Sequence, residues 1–436
     1  MIRDIGRLSQ ECTLAQIALD HIAVLAIFGF ILPMAGCGGR ANQFHTVPPE
    51  PTPALSLAEA THHLDVLARE PMVVEHPDGT LFVTGYGSSS PVLWSSEDGG
   101  ASWHRVNVGT KADGAVGNSD VDLVIGPDGT VYLIVMSYDR EIGEGTGIVV
   151  GAGLNGGSDW SWTSLSQERY DDRPWIGAAP DGTLHAIWND GRGVSYVVST
   201  DRGRTWEERP RIHGTGGSSH LAIGPSGEVA VRITPMSASG NQMDEDTDFI
   251  AVSSDSGNSW HLHAPPGKRE WTFPMDDSVG VPRWVEPLAW DAAGALYYLW
   301  SESTSIWLGR SLDRGNTWST WQLVQGQEVV YFPYLAASRA GELAATWFSG
   351  RGVELRANVA LITPDSTDSH PRVTRAKPFQ FDSYRRSGDK KLVRDTAGEY
   401  LPVLFLGDGR LAVVTTIQDL ENERRGFTWW PINRSP

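Results

Sequence analysis

Arginines, carboxylates and tyrosines recur in this sequence just ahead of apolar runs that are often opened by proline. They read Arg69-Glu70 before Pro71, Asp120 and Asp122, Asp172-Arg173 before Pro174, and His220. Arg283 and Glu286 before Pro287, Tyr331 and Tyr334 around Phe332-Pro333, and Tyr400 before Pro402 continue the series. A second set follows the runs: Tyr86, Asp139-Arg140, Asp190 with Arg192, Glu302 and Arg351. Guanidinium groups bind carboxylate oxygens in bidentate fashion, and carboxyl groups and tyrosines donate and accept protons. Gathered at one place, the two sets suit recognition of a polar ligand. Other chemistries are weakly represented. The acidic run Met243 to Asp248 alternates like a calcium loop, but Phe249 stands where such a loop needs glycine, so a solvated loop is expected. There is no glycine-rich phosphate loop, and His62-His63 are adjacent, a poor spacing for chelation. No cofactor or metal is expected.

The elements that must position these residues show as repeats. Ser-x-Asp-x-Gly-x-Ser/Thr-Trp occurs four times, at residues 96–103, 199–206, 253–260 and 311–318, with a decayed fifth at 153–160. Its Ser and Asp can bind turn N–H groups, its Gly permits positive φ, and its Trp returns an apolar ring to the core. A second mark recurs seven times between apolar runs: Pro77-Asp78-Gly79, Pro127-Asp128-Gly129, Pro180-Asp181-Gly182, Pro225-Ser226-Gly227, Ala292-Ala293-Gly294, Arg339-Ala340-Gly341 and Gly407-Asp408-Gly409. Each is a hairpin signal. One unit is therefore two hairpins, or four strands, and such a sheet needs neighbours to cover both faces. The fold class is all-β, a β-propeller of four-stranded antiparallel blades. Seven marks predict seven blades; six with a long insertion is the alternative. The last unit has strands at Val403–Leu406 and Leu411–Ile417 and a third near Phe427–Pro431, so its fourth is expected from the segment near Thr61. Counting the alternation puts both kinds of turn on one rim and the polar sets on the other.

The chain has 436 residues, 40% of them hydrophobic, which supplies a packed core. Its net charge of −18 repels phosphate backbones, so nucleic acid is not an expected partner. Cys12 and Cys37 are the only cysteines, too few for a disulfide framework. Ile22 to Leu32 is an apolar run of signal-peptide length, and Met34-Ala35-Gly36-Cys37 after it resembles a bacterial lipobox. The expected organisation is a signal peptide over 1–36, a lipidated Cys37 with a Pro-rich tether over 37–60, and the propeller over 61–436. That implies a monomer held by lipid on the cell envelope, in the outer membrane or at the cell surface.

The tryptophan phrase resembles the Asp box of sialidases and related bacterial propeller proteins. In sialidases three arginines clamp the sugar's carboxylate, a Tyr–Glu pair supplies the nucleophile and an aspartic acid is the acid/base. Ala68-Arg69-Glu70-Pro71 keeps the Arg and Pro of the family's first-arginine motif but has Glu70 where the family has Ile. The resemblance implies Arg69, Arg173 and Arg283 as clamp members; Asp172, Asp190, Arg192 and Arg351 are expected as further ligand-binding residues from their place on the same rim. It implies Glu286 with Tyr334 or Tyr331 as the Tyr–Glu pair, and Asp120 or Asp122 as the acid/base. The expected function is recognition of glycans with exo-α-sialidase-type hydrolysis. Two other readings share the same rim: a non-catalytic glycan- or protein-binding propeller, with Trp175, Trp271, Trp284 and Trp307 for stacking, and a glycoside hydrolase using two carboxylates about 5 to 10 Å apart.

Overall fold

The structure is a computed structural model that describes residues 54–239, 242–267, 285–350, 355–365, 369–381, 398–420 and 422–435. Cys37, Arg283, Arg351, Trp271 and Trp284 lie outside the described residues.

Seven antiparallel sheets make seven blades, in chain order 69–105, 121–166, 171–208, 216–263, 288–325, 330–380 and 403–434. The first strand of each blade touches the first strand of the next, and that of blade 7 returns to blade 1. These first strands line the axis. Seven blades follow from seven hairpin turns whose glycines, Gly79, Gly129, Gly182, Gly227, Gly294, Gly341 and Gly409, all sit at φ between 82° and 92°. In the Pro-Asp-Gly forms the aspartate also accepts the N–H two residues on, as Asp78 does from Thr80 at 2.8 Å and Asp181 from Thr183 at 2.9 Å.

Blade 7 closes the ring. Its strands Val403–Phe405, Leu411–Asp419 and Arg424–Arg434 are completed by Leu55–Leu57 and Thr61–Leu64, both paired with Arg424–Arg434. Among the described residues the propeller thus reaches back to Leu55, inside the span expected to be tether. Leu55 faces Arg434 and Leu64 faces Gly426, so the chain enters blade 7 at the rim that carries the hairpin turns.

The cores lie between blades. Val73, Val83 and Trp94 of blade 1 pack with Ala412, Val414 and Trp429 of blade 7, and Tyr132 and Ile134 of blade 2 pack with Ile176 and Ala186 of blade 3. The tryptophan phrases serve these joints. In blade 1, Ser96 Oγ donates to Asp98 at 2.8 Å and accepts the Gly100 N–H at 2.9 Å, Asp98 accepts the Ser102 N–H at 2.9 Å, and the Trp103 indole donates to the Gly100 carbonyl at 3.2 Å. The Ser–Asp–Gly part recurs in blades 3, 4 and 5. A Cβ on Gly100 would lie 2.1 Å from the Trp429 indole nitrogen, and one on Gly257 would lie 1.9 Å from Tyr196. Glycine is therefore required both for φ and for close approach to the preceding blade. The phrase is structural, and it stands on the rim opposite Arg69, Asp120, Asp172 and Arg173.

Candidate functional site

Three inner strands carry the same defect. Registers slip between Arg69 and Met72, Asp172 and Trp175, and Tyr331 and Tyr334. Each slip holds a residue at positive φ directly before proline: Glu70 at 47°, Arg173 at 50° and Phe332 at 44°. Proline has no N–H for the ladder, so a bulge is the tolerated form, and the bulge re-aims the side chain before it. A non-glycine residue at such φ is strained, and strain of this kind clusters at functional sites.

In blades 1 and 3 the bulges turn charged groups into one mouth. A cavity of about 260 Å³ is lined by Arg69, Glu70, Asp120, Asp172, Arg173 and Glu399, with Tyr86 and Tyr138 at its edge. Arg173 Nη2 lies 2.8 Å from Glu399 and its Nε 3.7 Å from Asp172. Arg69 Nε lies 4.0 Å from Glu70. Glu70 Oε1 accepts the Glu399 N–H at 3.1 Å, which ties blade 1 to the approach of blade 7. Gly398 makes room for this bond, since a Cβ there would sit 2.4 Å from Glu70 Cγ.

Burial and crowding separate the carboxyl groups. Burial pushes Glu70 up to about 8, helped by the charges of Asp120 and Glu399. Burial likewise raises Asp120 to about 7, with Asp172 adding to it. Asp172 is raised by burial while Arg173 pulls it back. Burial opposes the charge of Arg173, but Glu399, Tyr400, Asp172 and Asp120 hold its pKa well above the usual arginine value. Glu70 and Asp120 therefore hold their protons more firmly than ordinary carboxyl groups, beside two further acids and two guanidinium groups. Protonated and ionised carboxyl groups sharing one cavity can deliver one proton and remove another.

Below the mouth an aromatic belt fills the axis. Tyr400 meets Trp175 at 5.2 Å between ring centroids, Trp175 meets His220 at 5.2 Å, and His220 meets Tyr334 at 5.7 Å. Trp175 is buried in this belt and is not a stacking platform at the surface. Trp307 instead stacks on Trp300 in the joint of blades 4 and 5. Asp122 and His220 stitch inner strands together. Asp122 accepts the Leu123 N–H at 2.8 Å and, across the blade joint, the Ile176 N–H at 2.9 Å. His220 Nδ1 accepts the Leu288 N–H at 3.3 Å, and burial lowers its pKa to about 4, so it is neutral.

Of the residues expected from sequence, Arg69, Asp120, Asp172 and Arg173 converge on the mouth. Asp122 lies outside the cavity lining and holds backbone. Asp190 is buried and accepts from the Arg192 N–H and Ser195 Oγ, both at 3.0 Å, and pairs with Arg211; with Arg192 it braces its own turn, away from the cavity. Tyr331 is buried in the core. Tyr334 belongs to the belt. Glu286 does have a tyrosine partner, but it is Tyr298, and both accompany Arg232 and Asp248 in the joint of blades 4 and 5. Arg232, Glu286 and Tyr298 are all 0% exposed. Sequence reading missed Arg232, Tyr298, Glu399 and the placement of Glu70. An arginine inside the apolar run Val229 to Ile233 was the available sign of the buried cluster. Among the described residues no group of three or more His, Cys, Asp or Glu side chains is placed to hold a metal ion.

No protein-family model matches the chain, and no curated protein does. Solved structures do. A copper-bound fungal alcohol oxidase is 12% identical with a TM-score of 0.54, covering 86% of this chain and 76% of its own. An inactive variant of virginiamycin B lyase from Staphylococcus aureus, solved with quinupristin, is 11% identical with a TM-score of 0.50, covering 88% and 99%. The α-L-arabinofuranosidase of Fusarium graminearum, solved with arabinobiose, is 12% identical with a TM-score of 0.48, covering 87% and 98%. At these identities the likeness shows the propeller fold alone.

Proposed function

We propose that this propeller binds glycans at the mouth of blades 1, 2, 3 and 7 and cleaves a glycosidic bond there with a carboxyl pair. The observation that carries the reading is the convergence of Glu70, Asp120, Asp172 and Glu399, beside Arg69 and Arg173, on one cavity. Asp120 or Glu70, holding a proton near neutral pH, gives it to the glycosidic oxygen as the leaving group departs. Asp172 or Glu399 takes a proton from the attacking water, or attacks the anomeric carbon itself to form a glycosyl ester that water then cleaves, its proton passing to the carboxyl that served as acid. Arg69 and Arg173 orient hydroxyl or carboxylate oxygens of the sugar. The Tyr298–Glu286 contact is sealed between blades, so an exo-sialidase route would have to use Tyr86 beside Glu70 in the cavity; the four converging acids favour the two-carboxylate route. A lipid on Cys37 would secure the protein to the cell envelope.

The test is release of reducing ends from a glycan panel by the full chain, with Asp120→Asn and Glu70→Gln beside it. The expected result is turnover that falls by about 10²- to 10⁴-fold in the variants while melting temperature stays within a few degrees. Glycan binding with no turnover by the parent protein would establish the non-catalytic module instead.

A further inference from the structure

We propose that the ligand is an extended acidic oligosaccharide, whose carboxylate- or sulfate-bearing units lie in a basic groove that leaves the acid cavity across blades 1, 2 and 7. The proposal rests on glycan recognition at the mouth and adds which glycans are taken. The groove is about 540 Å³ and shares Arg69, Tyr86, Ser119 and Tyr138 with the cavity, so the two are continuous. Its far part is lined by Arg140, Arg425, Asn118 and Gln418. Three arginines and no Asp or Glu stand among the described lining residues, on a chain of net charge −18. Sign reversal at a single groove of an acidic protein selects for anions and attracts them from solution.

The cationic groups are available. Arg140 and Arg425 are exposed, and neither makes an ion pair among the described residues. The carboxylate nearest Arg140 in sequence, Asp139, is turned onto the Glu141 N–H at 2.8 Å. Gln418 Oε1 is buried with no hydrogen-bond partner among the described residues, leaving an acceptor in the groove wall for a hydroxyl. Tyr138 is built as a platform. Asn118 clamps its backbone from both sides, donating to the Tyr138 carbonyl at 3.0 Å and accepting its N–H at 2.8 Å, while the side chain stays 36% exposed. Tyr138 also borders a third depression, of about 220 Å³, that carries Lys111. Three connected hollows meeting at one aromatic ring suit several sugar units in line. A single sugar would occupy the acid cavity and leave the basic groove unused.

The experiment measures binding to the Asp120→Asn chain, which leaves bound glycans uncleaved. The probes are tetragalacturonate and tetraguluronate (carboxylate only), a chondroitin sulfate tetrasaccharide (carboxylate and sulfate), cellotetraose, galacturonate monomer and polyglutamate. At least one acidic tetramer is expected to bind tenfold or more tighter than cellotetraose and the monomer, with affinity falling as salt rises; which acidic probe wins separates carboxylate from sulfate. Adding Arg140→Ala and Arg425→Ala should weaken that binding at least tenfold, and Arg140→Lys with Arg425→Lys should restore most of it. Binding to none of the acidic probes, equal binding of the neutral tetramer, the monomer or polyglutamate, or indifference to the arginine substitutions would overturn the proposal. If the parent protein cleaves a neutral glycan without help from Arg140 and Arg425, the groove assignment fails while cleavage stands. If acidic tetramers bind through those arginines and the parent cleaves nothing, cleavage fails while the groove assignment stands.

Discussion

Asp122 separates a structural carboxyl from a catalytic one, and its substitution by asparagine gives opposite outcomes for the two roles. The side chain is buried and accepts two backbone N–H groups, from Leu123 and Ile176. Burial outweighs these bonds and lifts its pKa from 3.8 to about 7. Between those values the folded chain holds a proton that the unfolded chain has released. Stability therefore falls with rising pH across that window, by about 1.4 kcal/mol per unit. Over roughly three units this amounts to about 4 kcal/mol, which is absent below pH 4 and fully developed above pH 7. Asparagine never ionises, and its carbonyl oxygen can still accept an N–H. Its amide nitrogen, however, faces the second of the two N–H groups, so Asp122→Asn should lie about 1 to 3 kcal/mol below the parent near pH 4, gain about 4 kcal/mol on it by pH 8 and end more stable there, with turnover on any cleaved glycan unchanged. Urea unfolding of both proteins from pH 4 to 8.5 reads the difference, since the remaining titrations cancel. A variant that is less stable than the parent at pH 8 would mean that the charged carboxylate holds those N–H groups. A variant of full stability with turnover down a hundredfold would return Asp122 to the catalytic set.

Turnover by the parent should fall as pH rises through 7 to 8, where Asp120 and Glu70 lose the proton that the departing oxygen must receive; a rate that climbs through this range would exclude both as the acid. Arg232→Ala leaves Glu286 and Asp248 without their buried partner and should destabilise the fold by about 3 to 5 kcal/mol, seen as a lower unfolding midpoint with the glycan profile intact. Gly257→Ala should lose about 1 to 3 kcal/mol more than Gly294→Ala, because both have positive φ but only Gly257 faces another blade, while Gly294 has open space; equal losses in urea unfolding would refute the close-approach argument.

The ring was legible because its signals are local. Each hairpin turn needs a left-handed glycine, and each tryptophan phrase binds its own backbone within eight residues, so one blade's sequence specifies one blade. Closure was legible only in outline. Leu55–Leu57 is three residues long and pairs with a strand at the other end of the chain. Nothing within Leu-Ser-Leu distinguishes a strand edge from the end of a Pro-rich tether. The contact of Glu286 with Tyr298 was not legible for a related reason. Glu286 and Tyr334 both stand at the starts of inner strands, yet strand alternation puts Tyr298 on the face that looks toward blade 4, where Arg232 already demands a carboxylate.

The one-sided placement of the mouth follows from what fills each bulge. Glu70, Arg173 and Phe332 occupy the same kind of pre-proline, left-handed position on blades 1, 3 and 6. A charge at such a position must find water or a partner, and the two charged residues find each other's neighbours: Glu70 binds the Glu399 backbone, and Arg173 the Glu399 side chain. Phe332 needs neither and closes into the core. Blades 4 and 5 direct Asp248 and Glu286 inward onto Arg232, which removes two more carboxylates from the funnel. The described acids still facing the cavity are those of blades 1, 2 and 3 and of Glu399. The same sector opens onto Arg140 and Arg425, so proton-transfer groups and anion-binding groups share one side of the axis. That arrangement binds a chain laid across the rim rather than one threaded down the axis, which the belt from Tyr400 to Tyr334 already blocks.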